Sequence, residues 1–155
     1  MKKGHKVTSK EITGWWKDTG KPDDLLFANR LLLDGMDAVD FPTQGDVEDG
    51  ARINGKVTVG MGSVIKKNAI IHGPVMIGEN CVIEDCEIGP HVTVGAGTSI
   101  RQARITDSIL LENSTINAPV RLRMSIIGKQ VTIKQAEESA LGGQVIVSDK
   151  SVIEY

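Results

Sequence analysis

Aliphatic residues recur about every six positions along most of this chain, a spacing that suits neither a simple strand nor a helix. The positions are Val47, Ile53, Val59, Ile65, Ile71, Ile77, Ile83, Ile88, Val94, Ile100, Ile105, Leu110, Ile116, Leu122, Ile127, Ile133, Leu141, Val147 and Ile153. A half-buried strand repeats about every two residues, and an α-helix about every 3.6. A longer period therefore predicts a short strand and a turn, repeated on successive faces of a prism.

Each complete hexad also carries a compact residue four places after the aliphatic one. These residues are Ala51, Val57, Ser63, Ala69, Val75, Cys81, Val92, Thr98, Ser114, Val120, Val131, Val145 and Ser151. We expect both positions to point into the coil, and the turns to hold residues that tolerate positive φ. The fourth position of the hexads holds Gly50, Gly62, Gly97, Asn68, Asn80 and Asn113, and the second holds Gly60, Gly78, Gly89, Gly95, Gly128 and Gly142.

Over residues 47 to 153 this pattern resembles the hexapeptide-repeat family. The resemblance implies an all-β fold, a left-handed parallel β-helix, and the number of hexads gives about six triangular coils. Shorter steps at 83 to 88, 100 to 105, 105 to 110 and 122 to 127 are expected to tighten a corner. The longer step from Ile133 to Leu141, which contains Glu137 and Glu138, predicts a projecting loop.

The repeat is missing before residue 46, which divides the chain into a segment at 1–45 and a β-helix at 46–155. Pro22 suits the first turn of a helix, and Asp23 and Asp24 favour the positive end of its dipole. The segment therefore predicts a helix over 22–34, preceded by a short extended stretch from Val7 to Trp16. The predicted apolar face comprises Leu25, Leu26, Asn29, Leu32 and Leu33. We expect this helix to cover the N-terminal end of the β-helix.

A second motif stands directly before the repeats. It reads Gly14-Trp15-Trp16-Lys17-Asp18-Thr19-Gly20-Lys21-Pro22-Asp23-Asp24-Leu25-Leu26, followed by Ala28-Asn29-Arg30. The stretch from Gly14 to Asp34 resembles the end of the nucleotidyltransferase domain in sugar-1-phosphate nucleotidylyltransferases. The closest resemblance is to the long-form glucose-1-phosphate thymidylyltransferases, which carry a C-terminal β-helix.

The resemblance implies that a full-length enzyme makes dTDP-glucose and pyrophosphate from glucose-1-phosphate and dTTP. It also implies that Asp18 helps to hold Mg²⁺, a hard cation that prefers carboxylate oxygens and neutralises the charge on the transferred group. In the chain alone, Asp18 has a simpler interpretation. Together with Thr19 and Gly20 it can form the turn that leads into the helix.

Other segments that bind the nucleoside triphosphate in that family have no counterpart in this sequence. The Gly-x-Gly pairs at Gly60–Gly62 and Gly95–Gly97 fall in hexad turns, not in a phosphate loop between a strand and a helix. We therefore expect no catalytic residue and no cofactor in this chain alone, and a role in assembly or regulation. The expected partners are the catalytic nucleotidyltransferase domain and further copies of the chain, in a dimer or a trimer.

An alternative function is acyl transfer from an acyl-coenzyme A donor, which other hexapeptide-repeat proteins catalyse with a histidine as general base. The candidates are His72 and His91, and both are predicted to project from turns into solvent. A third hypothesis is a metal site between subunits that uses the same histidines, as in related carbonic anhydrases. The two residues differ in coil and in hexad position, which makes them a poor pair of ligands.

Composition adds few constraints. The net charge of −2 gives no electrostatic footprint for nucleic acid. No apolar run reaches the length of a membrane span, so we expect a cytoplasmic protein. Cys81 occupies a compact inward position and Cys86 a shortened hexad, which predicts two buried thiols and no disulfide.

Overall fold

The computed structural model describes residues 20–37, 42–135, 142–143, 146–150 and 152–154. Within these ranges the chain forms one α-helix, α1 (Pro22–Gly35), followed by nineteen short strands. The predicted extended stretch from Val7 to Trp16 lies outside the described residues, and so do Glu137 and Glu138 of the predicted loop.

The strands form three parallel sheets, one on each side of a triangular coil. The first sheet comprises β1 (Asp46–Val47), β4 (Val64–Ile65), β7 (Val82–Glu84), β10 (Ser99–Arg101), β13 (Thr115–Asn117), β16 (Thr132–Lys134) and β19 (Val152–Glu154). The second comprises β2 (Arg52–Asn54), β5 (Ile70–His72), β8 (Glu87–Ile88), β11 (Arg104–Thr106), β14 (Arg121–Arg123) and β17 (Gly142–Gly143). The third comprises β3 (Val57–Val59), β6 (Val75–Ile77), β9 (Val92–Val94), β12 (Ile109–Leu110), β15 (Ile126–Ile127) and β18 (Ile146–Val147).

Every third strand joins the same sheet, so that each turn of the chain adds one strand to each side. The predicted fold class, a parallel β-helix of triangular coils, is confirmed. The three sheets contain seven, six and six strands, in agreement with about six coils.

The aliphatic position of each hexad forms the core. In the first sheet, Ile65, Ile83, Ile100, Ile116 and Ile133 pair in register from coil to coil. Each of these five side chains is at most 1% exposed. Val47 in the first coil is an exception, with 43% of its surface exposed. The interior is therefore a stack of aliphatic ladders, which follows directly from the period of the sequence.

The compact residues are also buried, and the shortened hexads obey a rule of their own. In each five-residue step the buried small residue comes three places after the aliphatic one. These residues are Cys86, Ala103, Ser108 and Ser125. A corner tightened by one residue therefore keeps an inward-facing small side chain. The predicted corner role of the short steps is confirmed.

Buried hydroxyl groups at the compact positions form hydrogen bonds with the main chain of neighbouring coils. The Ser63 hydroxyl donates to the carbonyl of Gly78 at 2.7 Å and accepts from the amide of Cys81 at 2.8 Å. The Ser114 hydroxyl donates in the same way to the carbonyl of Gly128 at 2.8 Å. A buried polar group costs stability unless it is hydrogen-bonded, and these bonds allow serine to replace a hydrophobic residue.

Two kinds of turn glycine have different physical roles. The predicted positive φ is found at the fourth position, at Gly50, Gly62, Gly97, Asn68, Asn80 and Asn113. Glycines at the second position mostly have ordinary φ and are needed for space. A Cβ on Gly60 would lie 2.5 Å from the carbonyl carbon of Gly78, which belongs to the next coil. Close stacking of coils, and not backbone conformation, therefore selects these glycines.

Helix α1 has nearly the predicted bounds, but its buried face differs. Leu26 and Leu33 are 7% and 1% exposed, whereas Leu25 and Leu32 are 41% and 59% exposed. The predicted apolar face is therefore buried only in part. The predicted position of the helix, however, is wrong. The helix lies along a corner of the β-helix and does not cover its N-terminal end, because the residues that hold it come from several successive coils.

Both cysteines are free and buried, as predicted. Burial, together with the neighbouring Asp85 carboxylate, raises the pKa of the Cys86 thiol to about 12, and burial raises the pKa of Cys81. No helix in the described part of the chain is both long and apolar enough to span a membrane.

Replacement of Ile116 by Asp is expected to unfold the coil. The side chain is fully buried in a narrow interior that offers no partner for a carboxylate, so a loss of at least about 4 kcal/mol in the free energy of unfolding is expected. Urea melts followed by circular dichroism measure this loss. Asn117→Asp is the matched control, since Asn117 is an exposed neighbour on the same strand. Equal stability of the two variants would contradict the inward register.

Thiol labelling provides a second test of the core. At pH 8 a thiol with a pKa of about 12 is ionised in only about one molecule in ten thousand, against roughly one in four for an ordinary cysteine. In a Cys81→Ala variant, Cys86 should react slowly with a thiol reagent in native buffer and rapidly in urea, because only the thiolate attacks. Labelling in native buffer at the urea rate would show that Cys86 is not buried.

Candidate functional site

The predicted magnesium ligand, Asp18, lies outside the described residues, so that its role stays a prediction. Among the residues that the structure describes, no group of three or more His, Cys, Asp or Glu side chains is arranged to hold a metal ion. The polar arrangement that the structure does show is the contact between α1 and one corner of the β-helix.

This corner, here named the helix corner, joins the second sheet to the third in successive coils. It comprises residues 55–56, 73–74, 89–91, 107–108 and 124–125. Besides its glycines, three of its residues have positive φ: His91 at 58°, Asp107 at 47° and Met124 at 49°. Two shortened hexads, 105 to 110 and 122 to 127, turn here. The chain therefore presents polar side chains from tight turns, one above another.

Gly89 sets the shape of the turn that carries His91. It has a φ of 102°, and a Cβ at this position would lie 1.9 Å from the carbonyl oxygen of His72 in the preceding coil. Only glycine allows both this conformation and this close approach. The turn therefore stacks closely on the preceding coil, and His91 lies on the side that faces α1.

Asn29 forms the central polar contact between the helix and the β-helix. The Thr93 hydroxyl donates to Asn29 Oδ1 at 2.6 Å, and Asn29 Nδ2 donates to the carbonyl oxygen of His91 at 3.4 Å. Asn29 is thus bound to both the turn and the strand β9 that follows it. Because Leu26 and Leu33 flank Asn29 on the same side of the helix, the buried apolar residues and this amide form one packing surface.

Four charged or ionisable side chains extend this contact. His91 Nε2 lies 2.7 Å from Asp34 Oδ1, and His91 Nδ1 lies 3.5 Å from Asp107 Oδ1. Arg30 donates to the same oxygen of Asp107. Arg30 and Asp34 of the helix thus contact Asp107 and His91 of the corner, which restricts the rotation of the helix about its axis. We refer to Asn29, Arg30, Asp34, His91, Thr93 and Asp107 as the helix seam.

This arrangement corrects one prediction and confirms another. His91 does not project into solvent, since its side chain is 20% exposed and lies between two carboxylates. The reason is that α1 lies over the turn. His72 does project, with 43% of its side chain exposed and Nε2 3.8 Å from Glu87 Oε1. The two histidines thus lie in adjacent coils and engage different carboxylates.

The C-terminal end of the helix is attached near the first coil, where Lys56 Nζ donates to the carbonyl oxygen of Met36 at 2.7 Å. At the other end, Leu26 and Phe27 line a cavity with Met124. The helix therefore runs against the direction in which the coils advance, and it crosses several of them.

The sequence contains a signal for this packing on the outer face of the third sheet. The residue directly before each inward aliphatic residue points outward, and in the third sheet these residues are mostly apolar or β-branched. They pair in register as Thr58, Met76, Thr93, Ile109, Ile126 and Ile146. The equivalent positions of the second sheet include Arg52, Glu87, Arg104 and Arg121. An apolar outer face predicts a covering element, and α1 contacts this sheet at β9.

The first sheet carries a different outer surface. Arg101 donates to Glu84 at 2.7 Å, and Lys66 lies 3.8 Å from the same carboxylate. The hydrogen bond from Arg101 lowers the pKa of Glu84, and the charges of Arg101 and the nearby lysines add to this effect. Two cationic side chains thus share one carboxylate on this outer surface.

Similarity to known proteins extends over nearly the whole chain. The family model of the GMPPB C-terminal domain matches residues 71–155. A glucose-1-phosphate thymidylyltransferase of Streptomyces antibioticus is 32% identical over 151 residues, which cover 97% of this chain and 41% of that protein. A low-salt glycan biosynthesis nucleotidyltransferase of Haloferax volcanii is 32% identical over 148 residues, covering 95% of this chain and 41% of the relative.

Probable mannose-1-phosphate guanylyltransferase 3 of Oryza sativa subsp. japonica is 31% identical over 149 residues, covering 95% of this chain and 40% of the relative. The chain thus spans about two fifths of the length of the curated relatives that it matches. All three relatives are nucleotidyltransferases, and the thymidylyltransferase and the guanylyltransferase differ in the sugar and the nucleotide.

Disruption of the helix seam should release α1 without unfolding the coils. His91→Ala removes the contacts to Asp34 and Asp107, and we expect hydrogen exchange of the helix amides to accelerate about tenfold or more. Exchange in the buried strands should change little. His72→Ala is the matched control, because this histidine does not contact α1 and should leave helix exchange unchanged. Equal exchange in both variants would show that the seam does not hold the helix.

Proposed function

Since this chain belongs to the family of GMPPB C-terminal domains, we propose that it is the C-terminal β-helix module of a sugar-1-phosphate nucleotidylyltransferase. One observation carries this proposal. The similarity to the Streptomyces antibioticus enzyme runs through both the helical segment and the β-helix, and it covers 97% of this chain but only 41% of that protein. The remaining part of such a protein would supply the nucleotide-binding half.

In the proposed full-length protein, the reaction is nucleotidyl transfer to a sugar-1-phosphate. Glucose-1-phosphate and dTTP are the first substrates to test, because glucose-1-phosphate thymidylyltransferases are among the most similar relatives. Mannose-1-phosphate and GTP are the second pair, since several relatives are named guanylyltransferases. Asp18 would contribute a carboxylate to the Mg²⁺ of that reaction, and the protein would act in the cytoplasm.

Helix α1 supports a connecting role for this module. Its inner side is fixed to the β-helix by the helix seam, and its outer side exposes Leu25 and Leu32. These residues are seven positions apart and so lie on the same side of the helix. A catalytic domain packed on this outer side would bury both leucines. The helix would then hold the two parts of the enzyme in a fixed relative position.

Self-association is the second part of the proposed role. The outer face of the first sheet carries a ladder of uncharged residues that pair in register. This ladder comprises Val64, Val82, Ser99, Thr115 and Thr132. Beside it, Lys66 and Arg101 share the carboxylate of Glu84. A flat ladder of uncharged side chains of this kind suits contact with a second copy in a dimer or a trimer.

Acyl transfer is supported less well by the same geometry. A general base must reach a substrate hydroxyl or amine, yet His91 is held between Asp34 and Asp107 beneath the helix. His72 is the more accessible candidate, with Glu87 as its nearest carboxylate. The seam gives His91 a structural role that explains its position without catalysis.

The size and activity of the native polypeptide test the proposal. An antibody raised against this chain should detect a band far above 16.7 kDa in the source cells. The immunopurified protein should release pyrophosphate with Mg²⁺ and one of the two substrate pairs, and Asp18→Asn should reduce the rate at least about a hundredfold because the metal loses a carboxylate.

A band near 16.7 kDa, or a longer protein without pyrophosphate release, would contradict the proposed function. In that event the same preparation should be assayed for transfer from acyl-coenzyme A donors. Acyl transfer that is abolished by His72→Ala but retained by a variant of an exposed residue elsewhere, such as Arg52→Gln, would establish the alternative function.

A further inference from the structure

Three arginines form a compact cluster on the outer face of the second sheet. Arg104 and Arg121 are paired in register on adjacent strands, and Arg123 follows Arg121 on the same face of β14. Adjacent strands are about 4.8 Å apart, and residues two apart on a strand are separated by about 6.6 Å. The Cα atoms of the three arginines thus lie within about 10 Å of one another, and all three side chains are exposed.

The pairing of Arg104 with Arg121 destabilises the sheet unless an anion neutralises their charges. Like charges directly opposite on neighbouring strands repel each other and destabilise a sheet. Glu87 on the next strand lies 3.4 Å from Arg104 and offsets one of the charges. Within the described ranges of the chain, neither Arg121 nor Arg123 forms an ion pair. The cluster therefore keeps an excess of positive charge, although the chain as a whole has a net charge of −2.

The cluster also has the shape of a binding site. Arg104, Arg121 and Arg123 line a groove of about 300 Å³ together with Glu87, Thr106 and Leu122. Thr106 adds a hydroxyl group, and Leu122 closes the floor. Guanidinium groups match phosphate oxygens in geometry and charge and bind them through paired hydrogen bonds.

A second cavity of about 290 Å³ adjoins this groove, and Arg123 lines both. Its walls include Leu26 and Phe27 of α1 and Met124 of the helix corner. Phe27 is 49% exposed and Met124 is 38% exposed. The cavity is also lined by Asp23, Arg30 and Asp107, and Arg30 pairs with Asp107. The two carboxylates would repel a phosphate. The two cavities thus differ in chemistry, since the groove has an excess of arginine and the second cavity combines an apolar and aromatic wall with two carboxylates.

We propose that the two cavities form a single site for a nucleotide. Its phosphates bind Arg104, Arg121 and Arg123, and its base packs against Phe27 and Met124. Both halves of the site are needed, because the arginines alone accept any polyphosphate, whereas the apolar wall favours one that carries a flat ring. The site joins α1 to the second sheet, so that an occupant contacts the helix and the β-helix together.

This site does not depend on the proposed enzymatic function, because it is built entirely from residues of this chain. Binding is therefore measured on the 155-residue chain by isothermal titration calorimetry, with GDP, dTDP, pyrophosphate and guanosine as probes. We expect the diphosphates to bind best, pyrophosphate more weakly and guanosine least. Replacement of both Arg121 and Arg123 by Gln should weaken diphosphate binding by about a hundredfold, because two charge-assisted contacts are lost.

One further variant tests the apolar half of the site, and another serves as a control. Phe27→Ser should reduce the affinity for GDP and dTDP towards that for pyrophosphate and leave pyrophosphate binding unchanged. Arg52→Gln is the matched control, because Arg52 occupies the same outward position of the second sheet at the far end of the β-helix. Diphosphate binding that is equally tight in the double arginine variant, equal loss in the Arg52 variant, or no saturable binding of any probe would overturn the proposal.

Discussion

Stacking of each coil on the next is the interaction on which the rest of this structure depends. No single triangular turn has a core of its own, because its few inward side chains have neighbours only in the turns above and below. Main-chain hydrogen bonds run along the coil axis and hold the inward aliphatic residues in register, as in the pairing of Ile83, Ile100 and Ile116. Any change that tilts one coil therefore affects two interfaces at once.

The same constraint explains which small residues the chain uses. A glycine such as Gly60 is needed where adjacent turns stack too closely for a Cβ, and serine is tolerated where its hydroxyl reaches a carbonyl of the next coil, as Ser63 does. The shortened hexads satisfy the same stacking constraint, since each still places a small residue inside the corner. The interior is thus uniform along the axis, which leaves the outward positions free to differ between the three sides.

That freedom gives each side a different surface chemistry. The third sheet has an apolar outer face, which is partly covered by α1. The first sheet carries a flat ladder of uncharged side chains, which we propose as the contact between copies. The second sheet concentrates arginine beside the helix corner, and we assign it to a phosphorylated ligand. The helix seam connects these roles, because a helix fixed by Asn29 and His91 also supplies one wall of the proposed site.

The sequence by itself determined the fold, because a period of six requires a coil, and most inward positions follow from that period. It also located α1, since Pro22 and the acidic first turn mark the beginning of a helix. The position of that helix was decided only by the tertiary structure. His91 looked like a solvent-exposed turn residue because its partners, Asp34 and Asp107, are 57 and 16 positions away in the chain. The arginine cluster could not be recognised from the sequence for the same reason. Arg104 and Arg121 are distant in sequence, and only the register of the coils brings them together.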